Sequence, residues 1–123
     1  MSWEDHMRSE ETRIINEVTG GEKGQKIERY DLIPVEELAE VAKVYGEGAK
    51  KYAERNWSRG YDWGLSYASL NRHLNQFWAG ESIDEESGCH HLASVVFHAF
   101  ALMYFEKHYP ELDSRDTNTK KES

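Results

Sequence analysis

Three stretches of this chain carry apolar side chains at helical spacing, and the polar positions between them differ from one stretch to the next. From Val35 to Tyr52, at about 100° per residue, Leu38, Val41, Ala42, Tyr45, Ala49 and Tyr52 fall on one half of the wheel and Glu36, Glu37 and Glu40 on the other. Pro34 suits the first turn of such a helix. Gly46 and Gly48 weaken its middle, where a break or kink is expected. A second helix is predicted over about 64–79, with Tyr67, Leu70, Leu74, Phe77 and Trp78 facing the core and Gly80 as the stop. A third is predicted over about 86–108, capped from Ser82, Asp84 or Ser87 and ended by Pro110. Its apolar residues lie all round, as in a central buried helix.

Residues 1–33 are mixed polar, with a turn signal at Thr19-Gly20-Gly21 whose flanks, RIINEV and KIERYDLI, suit short strands or extended arms. Residues 111–123 are charged, nearly free of apolar side chains and expected to fray. The organisation expected is an irregular N-terminal arm (1–19), an all-α helical bundle (20–108) and a flexible C-terminal tail (109–123). At 123 residues the chain suits one domain with a single modest core.

Charge and cysteine usage narrow the partners. A net charge of −8 disfavours nucleic acid, which draws affinity from Lys and Arg on phosphates. It leaves room for a small polyphosphate whose charge is met by metal ions and a few cations. Cys89 is the single cysteine, so no intrachain disulfide forms, which fits a reducing interior. The N-terminus MSWEDHMRSEETR lacks the apolar stretch of a signal peptide, and no window reaches a membrane span. A cytoplasmic location is expected, or the host cytoplasm for a viral protein.

The acidic face of the first helix has two readings. Glu40 with Lys43 and Glu47 with Lys51 form helix-spaced ion pairs worth about 0.2–0.5 kcal/mol each, and spacing alone favours such a solvated face. Val44, inside the acidic arc, points instead to partial cover, for example by another subunit. A Mg²⁺ or Mn²⁺ site needs oxygen ligands from a second element, and the turn holding Glu81, Asp84, Glu85 and Glu86 is the available one. The histidines of the third helix are by type more often core residues than ligands, with Glu86 beside His90 or His91 the best exception. Lys50, Lys51, Arg55, Asn56 and Trp57 suit a nucleotide through phosphate cations, an amide for a base edge and a ring for stacking, and Arg72 and His73 add phosphate donors. The alternative is that Trp57, Tyr61 and Trp63 fill the core beneath their loop.

Three segments in order, GGEKGQKIERYDLIP, GAKKYAERNW and RHLNQFWAGESIDEESGCHHLA, resemble the phage-associated dATP/dGTP diphosphohydrolase domain family over about residues 20–106. The resemblance implies an enzyme similar to the MazG-like all-α nucleotide pyrophosphohydrolases, which use Mg²⁺ or Mn²⁺ to cleave between the α and β phosphates. It implies a dimeric or tetrameric bundle acting on a purine deoxynucleoside triphosphate, with dGTP ahead of dATP. The EExxE helix of MazG-like proteins is reproduced by Glu36, Glu37 and Glu40, which the resemblance makes metal ligands, with Glu37 and Glu40 in catalysis. The second acidic motif aligns at Glu86, while Ser87 and His90 replace other acidic positions, so Asp84 or a histidine is left to complete the shell. The chain departs from the family pattern at Ile27 and Glu28 in place of Lys-Pro, Ser94 in place of His, and His98 in place of Asn.

Overall fold

The computed structural model describes residues 11–117, which fall into two compact units divided after Pro34. The first unit is a β-hairpin, β1 (Glu11–Ile15) antiparallel to β2 (Glu22–Lys26), followed by a 3₁₀ turn at Tyr30–Leu32. The register pairs Glu11 with Lys26 and Ile15 with Glu22. Arg13 donates to Glu22 at 2.6 Å and Lys26 pairs with Glu11 at 2.8 Å, each bridging the two strands. Asn16 builds the loop, its side-chain oxygen accepting from the amides of Val18 and Thr19, and Gly20 supplies the left-handed φ of 76° that closes it. An ordered hairpin therefore stands at residues 11–26, across the end of the expected irregular arm and the start of the segment expected to be helical. Of the two flanks read as possible strands, RIINEV supplies residues 13–15 of β1, whereas β2 is EKGQK and KIERYDLI carries the 3₁₀ turn. Residues 1–10 of that arm lie outside the described residues.

The second unit contains three helices, α1 (Val35–Lys51), α2 (Trp63–Trp78) and α3 (His91–His108). Helix α1 runs unbroken through Gly46 and Gly48, so the expected kink does not occur. Its inward stripe is Val41, Val44, Tyr45 and Gly48, while Leu38, Ala42 and Tyr52 are exposed. Tyr45 packs edge-on against Phe97 of α3, ring centroids 4.9 Å apart. Lys43 donates to the Gly88 carbonyl at 2.9 Å. Val44 is half-buried, whereas Glu36, Glu37 and Glu40 are exposed, so the cover expected from Val44 reaches that residue and not the acidic face.

Helix α2 is turned relative to the expectation from its large apolar residues. Its inward stripe is Trp63, Ser66, Leu70, His73 and Phe77, spaced alternately three and four residues apart. Tyr67, Leu74 and Trp78 are exposed, Trp78 by 86%. The reason is that Ser66 and His73, polar by type, take core positions because α3 offers them partners. The matching stripe on α3 is His91, Ser94, His98, Ala101 and Phe105, with the same spacing. Trp63 clusters with Ala101 and Phe105, Ser66 bonds His98 and His73 bonds His91, so numbers rise on one helix as they fall on the other. The two helices are antiparallel, packed seam to seam.

Helix α3 begins at His91, five residues later than expected. His90 is its N-cap, with its ring Nδ1 accepting from the Leu92 amide at 3.0 Å. Residues 82–90 instead form a closed turn, with an isolated bridge between Ile83 and His90 and the Asp84 amide donating to the Cys89 carbonyl at 2.8 Å. Glu86 is therefore on a turn, not one helical turn before His90.

Residues 109–115, expected to be part of a flexible tail, are tied to the bundle. The Trp63 indole donates to the Tyr109 carbonyl at 3.1 Å, the Gly64 amide to Ser114 Oγ at 2.9 Å, and the Arg115 guanidinium lies 4.8 Å from the Trp63 ring centroid. Residues 118–123 lie outside the described residues. Tyr109 also donates through its hydroxyl to the Ser58 carbonyl at 2.8 Å, seating its ring over Gly60. Gly60 has φ 87° and ψ 146°, and a Cβ there would meet the Tyr109 ring at 2.9 Å. Gly60→Ala is expected to destabilise the protein by about 1–3 kcal/mol from backbone strain alone. Urea denaturation measures this, and an unchanged midpoint would show that the loop adapts without cost.

Candidate functional site

Between α1, the loop after it and the α2–α3 seam lies a cleft of about 1150 Å³. That is at the upper end of the roughly 300–1,000 Å³ typical of small-molecule pockets. Four cations line it. Lys50 and Lys51 end α1, Arg55 follows on the loop, and Arg72 stands on α2. Lys50 has only a long 3.5 Å contact with Glu47, and Lys51 lies 5.3 Å from the centroid of the Tyr52 ring. Among the described residues no carboxylate pairs with Lys51, Arg55 or Arg72 within 4.0 Å. Arg55 holds a left-handed φ of 57°, the single such non-glycine among the described residues. A local turn accommodates it, with Ser58 donating through both its amide and Oγ to the Arg55 carbonyl.

Asn56 and Trp57 follow in a 3₁₀ turn at Asn56–Arg59 and also line the cleft. Trp57 serves two ends at once, since it lies edge-on to Tyr104 at 4.9 Å and packs against the core while bordering the cleft. Tyr61 does the same, whereas Trp63 is buried at the start of α2 and belongs to the core alone.

Acidic and imidazole groups line the same cleft: Asp84 and Glu86 from the turn after α2, Glu47 beside Lys50 on α1, and His73 and His98 close to Arg72. Asp84 is fixed by its own turn, one carboxylate oxygen accepting from the Glu86 amide and the other from Ser87 Oγ, each at 3.1 Å. His73 Nδ1 stands 2.9 Å from His91 Nδ1, and His91 Nε2 stands 2.8 Å from Glu81 Oε1. His91 is fully buried and His73 is 8% exposed. A ligand-type atom from each of His73, Asp84 and His91 lies within 4.8 Å of the other two. Two imidazoles and a carboxylate fit a divalent ion, because each offers a lone pair and Asp84 keeps capacity beyond its two internal hydrogen bonds.

A second polar chain runs beside the first. Tyr61 OH is 2.6 Å from Ser66 Oγ, which is 3.0 Å from His98 Nδ1. Burial holds His98 well below the ordinary histidine range, to about 4, with the His73 and Arg72 charges adding to the effect. Burial likewise lowers His73, helped by Arg72 and opposed by Asp84.

Of the residues singled out from the sequence, Lys50, Lys51, Arg55, Asn56, Trp57, Arg72, His73, Asp84 and Glu86 all line this one cleft. Glu36, Glu37 and Glu40 are exposed on the first turns of α1 and do not line it, although Val44, one turn beyond Glu40, does. His90 is spent on capping, which leaves His91 as the histidine that meets Asp84. Sequence reasoning missed Glu47 as a cleft residue and missed the His73–His91 and Ser66–His98 pairs. The signal for the pairs is the alternating three-and-four spacing of polar residues on α2 and α3, hidden by the larger apolar side chains one position away.

The fold and site define a small helical protein with a cleft lined by cations, carboxylates and imidazoles. The chain belongs to the family described as dATP/dGTP diphosphohydrolase, N-terminal, whose model matches residues 17–115. Neither curated proteins nor solved structures gave a match. The family description points to a hydrolase and refers to the N-terminal part of such proteins. No helix among the described residues is long and apolar enough to cross a membrane.

The buried histidines fix a pH dependence. A histidine whose pKa is lower folded than unfolded stays neutral while the unfolded chain takes up the proton, so stability is complete above about pH 6.5 and falls as pH drops towards about 4. His98→Asn, neutral throughout, is expected to flatten the fall in melting temperature across that window in metal-free protein. Parallel melting curves for the two proteins would show that His98 is not the group responsible.

Proposed function

We propose that the cleft hydrolyses a purine deoxynucleoside triphosphate, dGTP ahead of dATP, between the α and β phosphates in a divalent-metal-dependent reaction giving the monophosphate and pyrophosphate. In a phage setting the product dGMP would feed a remodelled purine pool. The observation that carries this reading is the charge content of the cleft: Lys51, Arg55 and Arg72, without carboxylate partners among the described residues, line the same cleft as Asp84 and Glu86 in an acidic protein. A polyphosphate with its metal carries the complementary charges.

The chain's own residues divide the work. Lys50, Lys51, Arg55 and Arg72 receive the charge of the leaving pyrophosphate. Asn56 offers an amide to a base edge and Trp57 a ring face, with His73 a further donor at the phosphate end. A divalent ion, Mg²⁺ or Mn²⁺, would be held from the Asp84 side of the cleft, with Glu86 in reach and Glu36, Glu37 and Glu40 as carboxylates of the neighbouring helix. It would supply Lewis-acid stabilisation and a lowered pKa for bound water. Glu86, exposed in the cleft, is placed to take the proton of the attacking water, and Glu37 and Glu40 are the other candidates for that role. Assembly as a homodimer or homotetramer is part of the proposal, supported by the exposure of Phe100 and Met103 on an otherwise apolar α3.

Incubation with each deoxynucleoside triphosphate and Mg²⁺ or Mn²⁺, with pyrophosphate and orthophosphate measured separately, tests the reading. Metal-dependent pyrophosphate release is expected, strongest with dGTP. Arg72→Ala is expected to lower kcat/KM by about 10–100-fold through loss of charge-assisted hydrogen bonds. Nucleotide binding without any metal-dependent release would assign a non-catalytic nucleotide-binding module instead.

A further inference from the structure

We propose that His73, Asp84 and His91 form a transition-metal site that binds Mn²⁺ or Co²⁺ in preference to Mg²⁺, and does so without nucleotide. This deepens the hydrolase reading by naming the seat of its metal, yet binding is measured apart from turnover, so the two fail separately.

The spacing of the two ring nitrogens is the first argument. Two ligands in adjacent positions on an octahedral ion, each about 2.1 Å from it, stand about 3.0 Å apart, and on a tetrahedral ion about 3.4 Å apart. His73 Nδ1 and His91 Nδ1 are held at 2.9 Å, close to the octahedral value. In the metal-free chain one N–H donates to the other nitrogen across this gap. Replacing that shared proton with a cation requires the proton of His73 to pass to Nε2 and both rings to turn, so that the two Nδ1 lone pairs, which face each other in the hydrogen bond, meet on the ion.

The second argument is the outer support. Glu81 accepts from His91 Nε2 at 2.8 Å, which leaves the lone pair of His91 on Nδ1, the nitrogen that meets His73 and Asp84. A carboxylate behind a ligating imidazole is the usual means of fixing its tautomer and raising its basicity. Asp84 is equally constrained, its backbone carbonyl accepting from the Gly88 amide at 2.7 Å and its side chain held as described above. Hydrogen bonds thus hold His91 and Asp84 before any ion arrives, and the three ligand atoms, within 4.8 Å of one another, draw together around it.

Access and selectivity complete the case. His73 and Asp84 border the open cleft, which gives an entry path. Three protein ligands leave octahedral positions for water or phosphate oxygens. Mg²⁺ favours an all-oxygen shell and retains its waters, whereas two imidazoles favour borderline ions.

The test titrates chelator-treated full chain at neutral pH with Mn²⁺, reading free ion by electron paramagnetic resonance and the bound ion by electron spin echo. One Mn²⁺ per chain is expected, showing nitrogen modulation from coordinated imidazole, displaced by Co²⁺ and retained against excess Mg²⁺. Glu81→Gln is expected to weaken binding by about 10–100-fold. Asp84→Asn is expected to weaken it as well, while Glu106→Gln, an exposed α3 position outside the cleft, leaves it unchanged. His91 is fully buried, so its replacement tests folding as well as binding. Asp84→Asn keeps shape at a partly exposed position, and the spin echo reads the unaltered chain. Bound Mn²⁺ without nitrogen modulation, or affinity kept in both Glu81→Gln and Asp84→Asn, overturns the proposal.

Discussion

The contact between His73 and His91 across the antiparallel α2–α3 seam is the constraint on which the rest of the cleft depends. Four polar side chains, Ser66, His73, His91 and Ser94, are buried in this unit beside only six apolar ones. So high a polar share costs stability, because each group gives up water for a few fixed partners. The seam meets that cost through complete pairing: among the described residues no buried side-chain nitrogen or oxygen lacks a hydrogen-bond partner. A satisfied network of this kind also fixes geometry, since sliding either helix by one residue would strand both histidines and Ser66.

Electrostatics follow from where that seam opens. The protein is acidic overall, yet Lys51, Arg55 and Arg72, which have no carboxylate partner among the described residues, all line the cleft. Long-range repulsion of a polyanion by a net charge of −8 is screened beyond about 8 Å at physiological ionic strength. Within that distance the local arrangement decides, and here cations and carboxylates line one cleft. The low proton affinity of His98 belongs to the same logic, because a neutral ring beside Arg72 and His73 adds no further positive charge to a crowded wall.

Much of this was legible in the sequence, and the parts that were not share one cause. Helix existence, the ends of α1 and α2 to within a residue or two, and the cationic set from Lys50 to Arg72 all follow from local spacing and caps. The direction in which α2 faces does not, because hydrophobicity ranks Tyr67, Leu74 and Trp78 above Ser66 and His73, while burial was decided by partners on α3. The start of α3 moved for a similar reason. The Asp84–Gly88 turn satisfies its own backbone and His90 caps the helix, so the acidic residues stay in the turn instead of continuing the helix. That change put His91, not His90, opposite Asp84. Glu36, Glu37 and Glu40 were the most conspicuous acidic pattern in the sequence, and the structure places them on an exposed face outside the cleft lining.

The two ends of the α2–α3 seam divide apolar from polar in a way that ties stability to the site. At one end Trp63, Ala101 and Phe105 form the core cluster, closed by Tyr109 and Leu112 from the segment after α3. At the other end the same two helices carry the histidines and the Asp84 turn. Because the helices are antiparallel, the apolar end sets the register that the polar end requires. Trp63 is the joint between them: its ring anchors the cluster and its indole N–H holds the Tyr109 carbonyl. A loss of packing there, at a residue that does not itself line the cleft, would loosen the 2.9 Å spacing of the imidazoles before it unfolded the chain. The dry end of the bundle therefore acts as the positioning element for the wet one.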